Sequence, residues 1–373
     1  MIIEQEISQL QKETEAAVCL QGFDYIELYV GNVQQAAYFY RTAFGFTPVA
    51  YIGLETGERQ HVSFVMKQND IRLVLTAGLT PDSPASRHVN VHGDSIKDIA
   101  FTVDDATRAF ETTVQRGARP VMEPALMEDS DGQVIKATIG AFGDTVHSFV
   151  ERRDFSGPFM PQFNKVEALP VASLSLREID HIAVSAEEGQ LGEWVHFYQT
   201  VLNFHQSHEA NVETEYSAMS SKVVQNSSGS VKFPIVVPAN GKRKSQVDEY
   251  LTFHKGAGAQ HVALLSSNIE QTVRALRASR INFLRTPDTY YDHLEERLGK
   301  IADEDIEVLR ELNILVDRDS SGYLLQIFTQ PVQTRPTLFW EIIERKGALG
   351  FGGGNIKALF EALEREQSLR KNS

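Results

Sequence analysis

Gly22-Phe-Asp24-Tyr25-Ile-Glu-Leu-Tyr-Val30 near the start of the chain reads like Glu178-Ile-Asp180-His181-Ile-Ala-Val184 near its middle. Phe39-Tyr40-Arg-Thr-Ala-Phe44-Gly-Phe46 likewise reads like Phe197-Tyr198-Gln-Thr-Val-Leu202-Asn-Phe204, and the run from Gly93 to Phe101 reads like that from Gly256 to Leu264. Asp98 and His261 are 163 residues apart, and so are Pro124 and Pro287. A spacing kept over that distance marks a tandem duplication, each copy being one structural unit.

Both copies share a local pattern. A short alternating strand around Tyr25–Val30 precedes a helix whose apolar positions Ala36, Phe39, Tyr40, Ala43 and Phe44 recur at helical spacing. Strands follow over 61–66 and 71–75. A second strand–helix pair comes next, 98–103 with 106–116 in the first copy and 261–265 with 269–278 in the second, and Gly117 is a natural stop for the first of these helices. A last strand over 147–151 has its counterpart around 338–343. The pattern predicts an α+β fold, with curved antiparallel-rich sheets and helices packed outside. The second copy carries an extra piece, Asp288 to about Asp319, that reads as helix. The segment from Gly354 to Gln367 reads as a closing helix with Ile356, Leu359, Phe360 and Leu363 on one face. The expected domains are an N-terminal arm over 1–20, a first module over 21–155, a Gly- and Pro-containing linker over 156–175, and a second module over 176–373.

The whole chain, 373 residues with 42 % apolar and 23 % charged content, has room for two buried cores. Its formal charge of −14 argues against nucleic acid or an anionic membrane as partner. The single cysteine, Cys19, excludes an intrachain disulfide and a Cys-based zinc cluster. The start, Met1-Ile-Ile-Glu-Gln-Glu, lacks the apolar stretch of a secretory leader, and no window holds ~18 uninterrupted apolar residues. The expectation is a cytoplasmic protein.

Comparing the copies singles out three positions. The second has His181, His261 and Glu341 where the first is read as having Tyr25, Asp98 and Glu151, the glutamates matched through Phe149-Val-Glu151 and Phe339-Trp-Glu341. Two imidazoles and a carboxylate on three strands form the ligand set of a facial-triad iron site. Zinc takes the same ligands, and a lone strand histidine is more often structural. Occurring together at matched points of a duplicated fold, the three point to a metal. His147 has no partner at matching spacing, and His92 precedes Gly93-Asp94 in an expected turn.

The chain resembles the 4-hydroxyphenylpyruvate dioxygenase family of the vicinal-oxygen-chelate superfamily over residues ~20–370. The stretches that carry the resemblance include Ile179-Asp-His181, Lys242-Arg-Lys-Ser-Gln246, Gly256-Ala-Gly-Ala-Gln260-His261, Thr286-Pro-Asp-Thr-Tyr290-Tyr291 and Leu324-Leu-Gln326-Ile-Phe328. Arg335-Pro-Thr-Leu-Phe339-Trp-Glu341 and Gly350-Phe351-Gly complete them. The resemblance implies tandem glyoxalase/bleomycin-resistance-like βαβββ modules, with an open β-barrel in the C-terminal half closed by a C-terminal helix. It implies Fe(II) held by His181, His261 and Glu341, with 4-hydroxyphenylpyruvate and O2 as substrates. Gln246, Gln260 and Gln326 would serve catalysis. Ser221, Pro234, Val236, Phe328, Phe339, Phe351 and Ile356 would contact the substrate, with Phe328 and Phe351 sandwiching its ring. A homo-oligomer is compatible with it.

Two products occur in this family, homogentisate from the dioxygenases and 4-hydroxymandelate from the mandelate synthases. Dioxygenases resemble one another in Pro-Ile-Asn-Glu-Pro and Gly-Asn-Phe stretches, where this chain has Pro234-Ile-Val236-Val-Pro238 and Gly354-Asn355-Ile356. Those departures look like the synthases, as do the stretches from Thr138 to Asp144 and from Leu79 to Pro84. Pro234 and the Lys-Arg-Lys-Ser-Gln run look like dioxygenases. The reading leans to the synthase, with the dioxygenase as the alternative. Blander readings are apolar repacking at Val236 and Ile356, plain core roles for Phe328 and Phe339, and a solvated loop at Lys242-Arg-Lys244. The loop from Gly350 to Asn355 lacks the Lys-Ser/Thr ending of a phosphate loop and reads as a lid entrance. A non-catalytic, metal-sequestering protein of the same fold is the reading from another class.

Overall fold

A computed structural model describes residues 18–167, 171–172, 174–292, 294–299, 301 and 304–371. The expected arm lies outside them except for residues 18–20, of which Val18 and Leu20 are core rather than polar arm. Among the described residues the strands form two sheets. The first contains β1 (Gly22–Tyr29), β2 (Thr47–Ile52), β3 (His61–Gln68), β4 (Ile71–Gly78), β5 (Ser95–Thr102), β6 (Pro120–Asp129), β7 (Gly132–Gly140), β8 (Val146–Arg153) and the short β9 (Asn164–Lys165). The second contains β10 (Leu176–Ser185), β11 (His205–Glu213), β12 (Ala218–Gln225), β13 (Lys232–Ala239), β14 (Gly258–Ser266), β15 (Leu315–Arg318), β16 (Tyr323–Phe328) and β17 (Phe339–Lys346).

Their orders, β6-β7-β8-β5-β1-β4-β3-β2-β9 and β11-β12-β13-β10-β14-β17-β16-β15, coincide when each strand is matched to its repeat, β9 aside. The duplication is therefore structural, two curled sheets of one topology. Each sheet is mixed: its first strand runs antiparallel to one neighbour and parallel to the other. The helix Val33–Phe44 begins where the Asn32 side chain accepts from the Gln35 N–H, and it ends at Gly45, whose φ of 70° suits a residue without Cβ. The modules interlock through the first helix of each. Tyr40 packs on Trp340 of β17, and Tyr198, from the helix Leu191–Val201, packs on His147 of β8.

The inserted piece differs from expectation. Among its described residues it forms three short helices, Thr289–Asp292, Leu294–Leu298 and Ile306–Leu312, but it ends in strand β15 rather than helix. Phe283 bridges to Thr329 as Pro120 pairs with Ile139, so the insertion splits the counterpart of β6 in two. Pro124 lies in β6 and Pro287 lies outside any strand, so their equal spacing is not a structural match.

That insertion also breaks the expected match of the glutamates. On the parallel neighbours β5 and β8, Ala100 faces Ser148; on β14 and β17, Ala263 faces Glu341. The structural counterpart of Glu341 is Ser148. Glu151 corresponds instead to Glu344. Both accept the N–H that opens the matching helix, Ala106 to Glu151 at 3.0 Å and Ile269 to Glu344 at 2.7 Å. A carboxylate at a helix start is favoured by the unpaired N–H groups there, which accounts for the repeated glutamate without a metal. Part of the expected linker is a plug: Phe159 and Met160 are buried in the first module, with the Phe159 ring against Tyr25 at 5.3 Å.

Candidate functional site

His181, His261 and Glu341 come from β10, β14 and β17, which are adjacent in that order. The register sets His181 opposite Ala263, and Ala263 opposite Glu341. With side chains alternating between faces, all three project to the concave side. Nε2 of His181 lies 3.1 Å from Oε2 of Glu341, and Nε2 of His261 lies 3.5 Å from the same oxygen. One ligand atom from each residue falls within 4.8 Å of the others, and all three residues are buried. Burial alone would raise the Glu341 carboxyl, but the charge and hydrogen bond of His181 and the hydrogen bond of His261 outweigh it and lower its pKa to about 2. Burial works against a charge on His181, yet the attraction of Glu341 and the Asp180 hydrogen bond raise its pKa; on His261 burial prevails.

The donor set fits a divalent cation. A carboxylate oxygen and two imidazoles face one point, and Asp180 holds Nδ1 of His181 at 2.8 Å, leaving its Nε2 lone pair for a metal. Nδ1 of His261 is buried without a hydrogen-bond partner among the described residues. Two histidines and one carboxylate with open positions are the preference of non-heme iron. Behind the site, Gln326 donates to Glu341 at 2.8 Å, Asn355 donates to the Gln326 carbonyl at 2.9 Å, and Tyr290 donates to Asn355 at 2.6 Å. A Cβ at Gly352 would sit 2.2 Å from the Gln326 oxygen, so this loop position needs glycine.

The triad lines a cavity. Of the residues expected from sequence, Ser221, Pro234, Val236, Gln246, Gln260, Gln326, Phe328, Phe351 and Ile356 line it. Gln260 donates to Gln246 at 2.7 Å, so the two amides act as a pair. Phe339 does not line the cavity. It stacks on His261 at 4.8 Å with a 27° tilt. The expectation missed Met219, Val223 and Leu359, which line the wall. The first two flank Ser221 at the two-residue period of β12, and Leu359 follows Ile356 by one helical step, so both periodicities pointed to them.

The first module shows what replaces this centre. Tyr25, Asp98 and Ser148, the counterparts of the triad, are joined by hydrogen bonds: Tyr25 and Ser148 donate to Asp98 at 2.9 and 2.7 Å. Lys136, at the place of Gln326, puts its ammonium 3.1 Å from the same carboxylate. A built-in cation and the Phe159 plug fill the space.

The sequence matches the Glyoxalase/Bleomycin resistance protein/Dioxygenase superfamily over residues 22–150 and 178–327. A 4-hydroxyphenylpyruvate dioxygenase of Dictyostelium discoideum is 43 % identical over 366 residues, covering 95 % of this chain and 100 % of that protein. One of Danio rerio is 44 % identical, covering 94 % of this chain and 92 % of its own. Among solved structures, a triply substituted 4-hydroxymandelate synthase from Streptomyces coelicolor superposes with a TM-score of 0.85 at 38 % identity, covering 93 % of this chain and 99 % of its own. Among the described residues no helix is long and apolar enough to cross a membrane. The chain belongs to the 4-hydroxyphenylpyruvate dioxygenase family of the vicinal-oxygen-chelate superfamily.

Proposed function

We propose that the protein is an Fe(II)-dependent dioxygenase that converts 4-hydroxyphenylpyruvate and O2 to homogentisate and CO2. Residues 21–155 serve as a metal-free scaffold and residues 176–373 as the catalytic module. The observation that carries this reading is the convergence of His181, His261 and Glu341 in the lining of a cavity that also holds aromatic and amide side chains. It occurs in a chain 43–44 % identical to dioxygenases over nearly its whole length. This reverses the order of the sequence reading, because the named relatives favour the dioxygenase over the synthase.

When bound, the iron supplies the centre at which the α-keto acid is held and O2 is reduced, the keto acid's own decarboxylation providing two electrons. The chain's part is placement. Phe328 and Phe351 form apolar walls for the substrate ring, and Gln246 and Gln260 offer polar atoms at the lined surface. Gln326 fixes the Glu341 carboxylate through its amide. One oxygen atom of O2 ends in the new carboxylate and the other in the ring hydroxyl, while the side chain shifts to the neighbouring ring carbon.

A specific observation supports a second reading, 4-hydroxymandelate: Val236 and Ile356 both line the cavity. They remove an amide and an aromatic ring from the positions where dioxygenases carry them, and a ring tilt of ~1 Å is enough to change which carbon reacts. The test is to incubate the protein with Fe(II), O2 and 4-hydroxyphenylpyruvate and identify the aromatic product. Homogentisate as main product is expected, 4-hydroxymandelate as main product establishes the second reading, and consumption of neither substrate overturns both. Elemental analysis of the isolated protein separates iron from zinc.

A further inference from the structure

Arg345 spends its side chain on two different parts of the site. Its Nε and Nη2 bind the Asp180 carboxylate at 2.6 and 2.8 Å in a two-pronged pair. Asp180 is buried and holds Nδ1 of His181, and Lys232 approaches it at 3.5 Å. The remaining Nη1 donates to the carbonyls of Ala348 and Gly350 at 3.1 and 2.7 Å, and the guanidinium lies 5.7 Å from the centre of the Phe351 ring. That ring in turn meets His181 edge-on at 5.2 Å. The loop has a second anchor on its opposite polarity: Asp319 accepts the N–H groups of Leu349 and Gly350 at 2.8 and 2.7 Å. Gly347 and Gly352, with φ of 86° and 69°, bracket the loop at backbone angles that favour glycine.

We propose that Arg345 is a positioning residue that couples the orientation of His181 to the seating of the Phe351 loop, so that metal capture and closure of the cavity wall are one event. The proposal rests on the reading of His181, His261 and Glu341 as a metal site. A planar guanidinium is suited to this, because its fork holds both carboxylate oxygens while the third nitrogen serves the loop; a lysine cannot satisfy both at once. With the loop open, Arg345 loses its carbonyl partners and Asp180 its fixed geometry. With His181 turned away, the loop loses the ring on which Phe351 rests. Coupling of this kind is reciprocal: what stabilises the loop tightens the metal, and the metal stabilises the loop to the same degree.

The experiment uses the full chain stripped of metal by chelation. It is titrated with Co(II), followed by visible absorption, and amide exchange over residues 347–351 is measured with and without the ion. In the wild type Co(II) is expected to slow exchange in this loop. Arg345→Lys is expected to bind Co(II) about 10-fold or more weakly and to lose that slowing. Asp319→Ala removes the acceptor of the loop N–H groups without touching Asp180 or any ligand, and it is expected to weaken Co(II) binding about 5-fold. Faster loop exchange in Asp319→Ala with wild-type Co(II) affinity overturns the coupling. A wild-type chain that binds no Co(II) overturns instead the metal reading on which the proposal stands.

Discussion

The Tyr198 hydroxyl of the second module lies 2.9 Å from Nε2 of His147 in the first, while Nδ1 of that imidazole faces the Ile99 carbonyl at 3.3 Å. Burial favours the neutral imidazole, in which Nδ1 donates to that carbonyl and Nε2 accepts from Tyr198. Its pseudo-equivalent is the Tyr40–Trp340 pair. Burial lowers the His147 pKa to about 4, against an ordinary value of 6.5. The folded pKa being the lower one, the contribution is fully present above about pH 6.5 and is lost as pH falls toward 4. A shift of this size corresponds to roughly 3 kcal/mol. Denaturant midpoints measured between pH 7 and 4 should fall more in the wild type than in His147→Gln; equal slopes would remove His147 as the cause.

Lys136, half-buried, and Asp98, buried, form an ion pair where the second module holds its triad. Burial opposes the Lys136 charge, but Asp98 and Glu27 outweigh it and raise its pKa. Removing Lys136 leaves the Asp98 charge with only the Tyr25 and Ser148 hydroxyls, at a cost of about 1–3 kcal/mol. Lys136→Met is therefore expected to lower stability by that order, and Lys136→Met with Asp98→Leu to recover much of it. Metal content per chain should be unchanged in both. Loss of metal in Lys136→Met would place the first module in the catalytic machinery rather than beside it.

The fold was readable because helix and strand periods repeat: the helix over 269–278 and the central strands fall where apolar spacing puts them. His181 and His261 were readable through local motif likeness, both lying before the inserted piece that begins at Asp288, although their offsets from Tyr25 and Asp98 are 156 and 163 residues. Glu341 was found by a pairing that the register does not support, since Phe-x-Glu recurs in both copies for a helix-start contact at Glu151 and for the triad in Glu341. A 163-residue spacing cannot survive an inserted excursion, and only hydrogen-bond register reveals where it shifts. Asp180 and Arg345 were not singled out, because a bond between residues on β10 and β17 leaves no periodic trace. Phe339 shows another limit of spacing: an aromatic beside a ligand can face the substrate or brace the ligand, and the register, which sets it opposite His261 on the triad's own face, is compatible with both.

Glu341→Gln keeps the side-chain volume and an amide that Gln326 can still meet, but it removes the charge that faces two imidazoles. The loss in metal affinity should exceed the roughly 10–100-fold that outer partners cost. The check needs no turnover. Added Fe(II) or Co(II) under anaerobic conditions should raise the melting temperature of the wild type and leave that of Glu341→Gln in place, since only binding to the folded state shifts the midpoint. An equal rise in both proteins would move the metal away from Glu341.

Val236 and Ile356 face the same cavity from β13 and from the C-terminal helix Gly353–Lys371. Ile356 also packs beside Val236 in one apolar cluster, so the two side chains shape one wall. An amide at 236 would add a polar anchor to that wall, and a phenyl ring at 356 would press the substrate ring away from it. Both changes act on the tilt of the ring and leave the triad untouched. In Val236→Asn with Ile356→Phe, the ratio of homogentisate to 4-hydroxymandelate is expected to rise about tenfold, equivalent to ~1.4 kcal/mol between the two routes. Chromatography of the products from both proteins at equal substrate consumption measures it. An unchanged ratio would mean that the wall accommodates the swap by repacking, as apolar cores often do, and that ring placement is set by Phe328 and Phe351 alone.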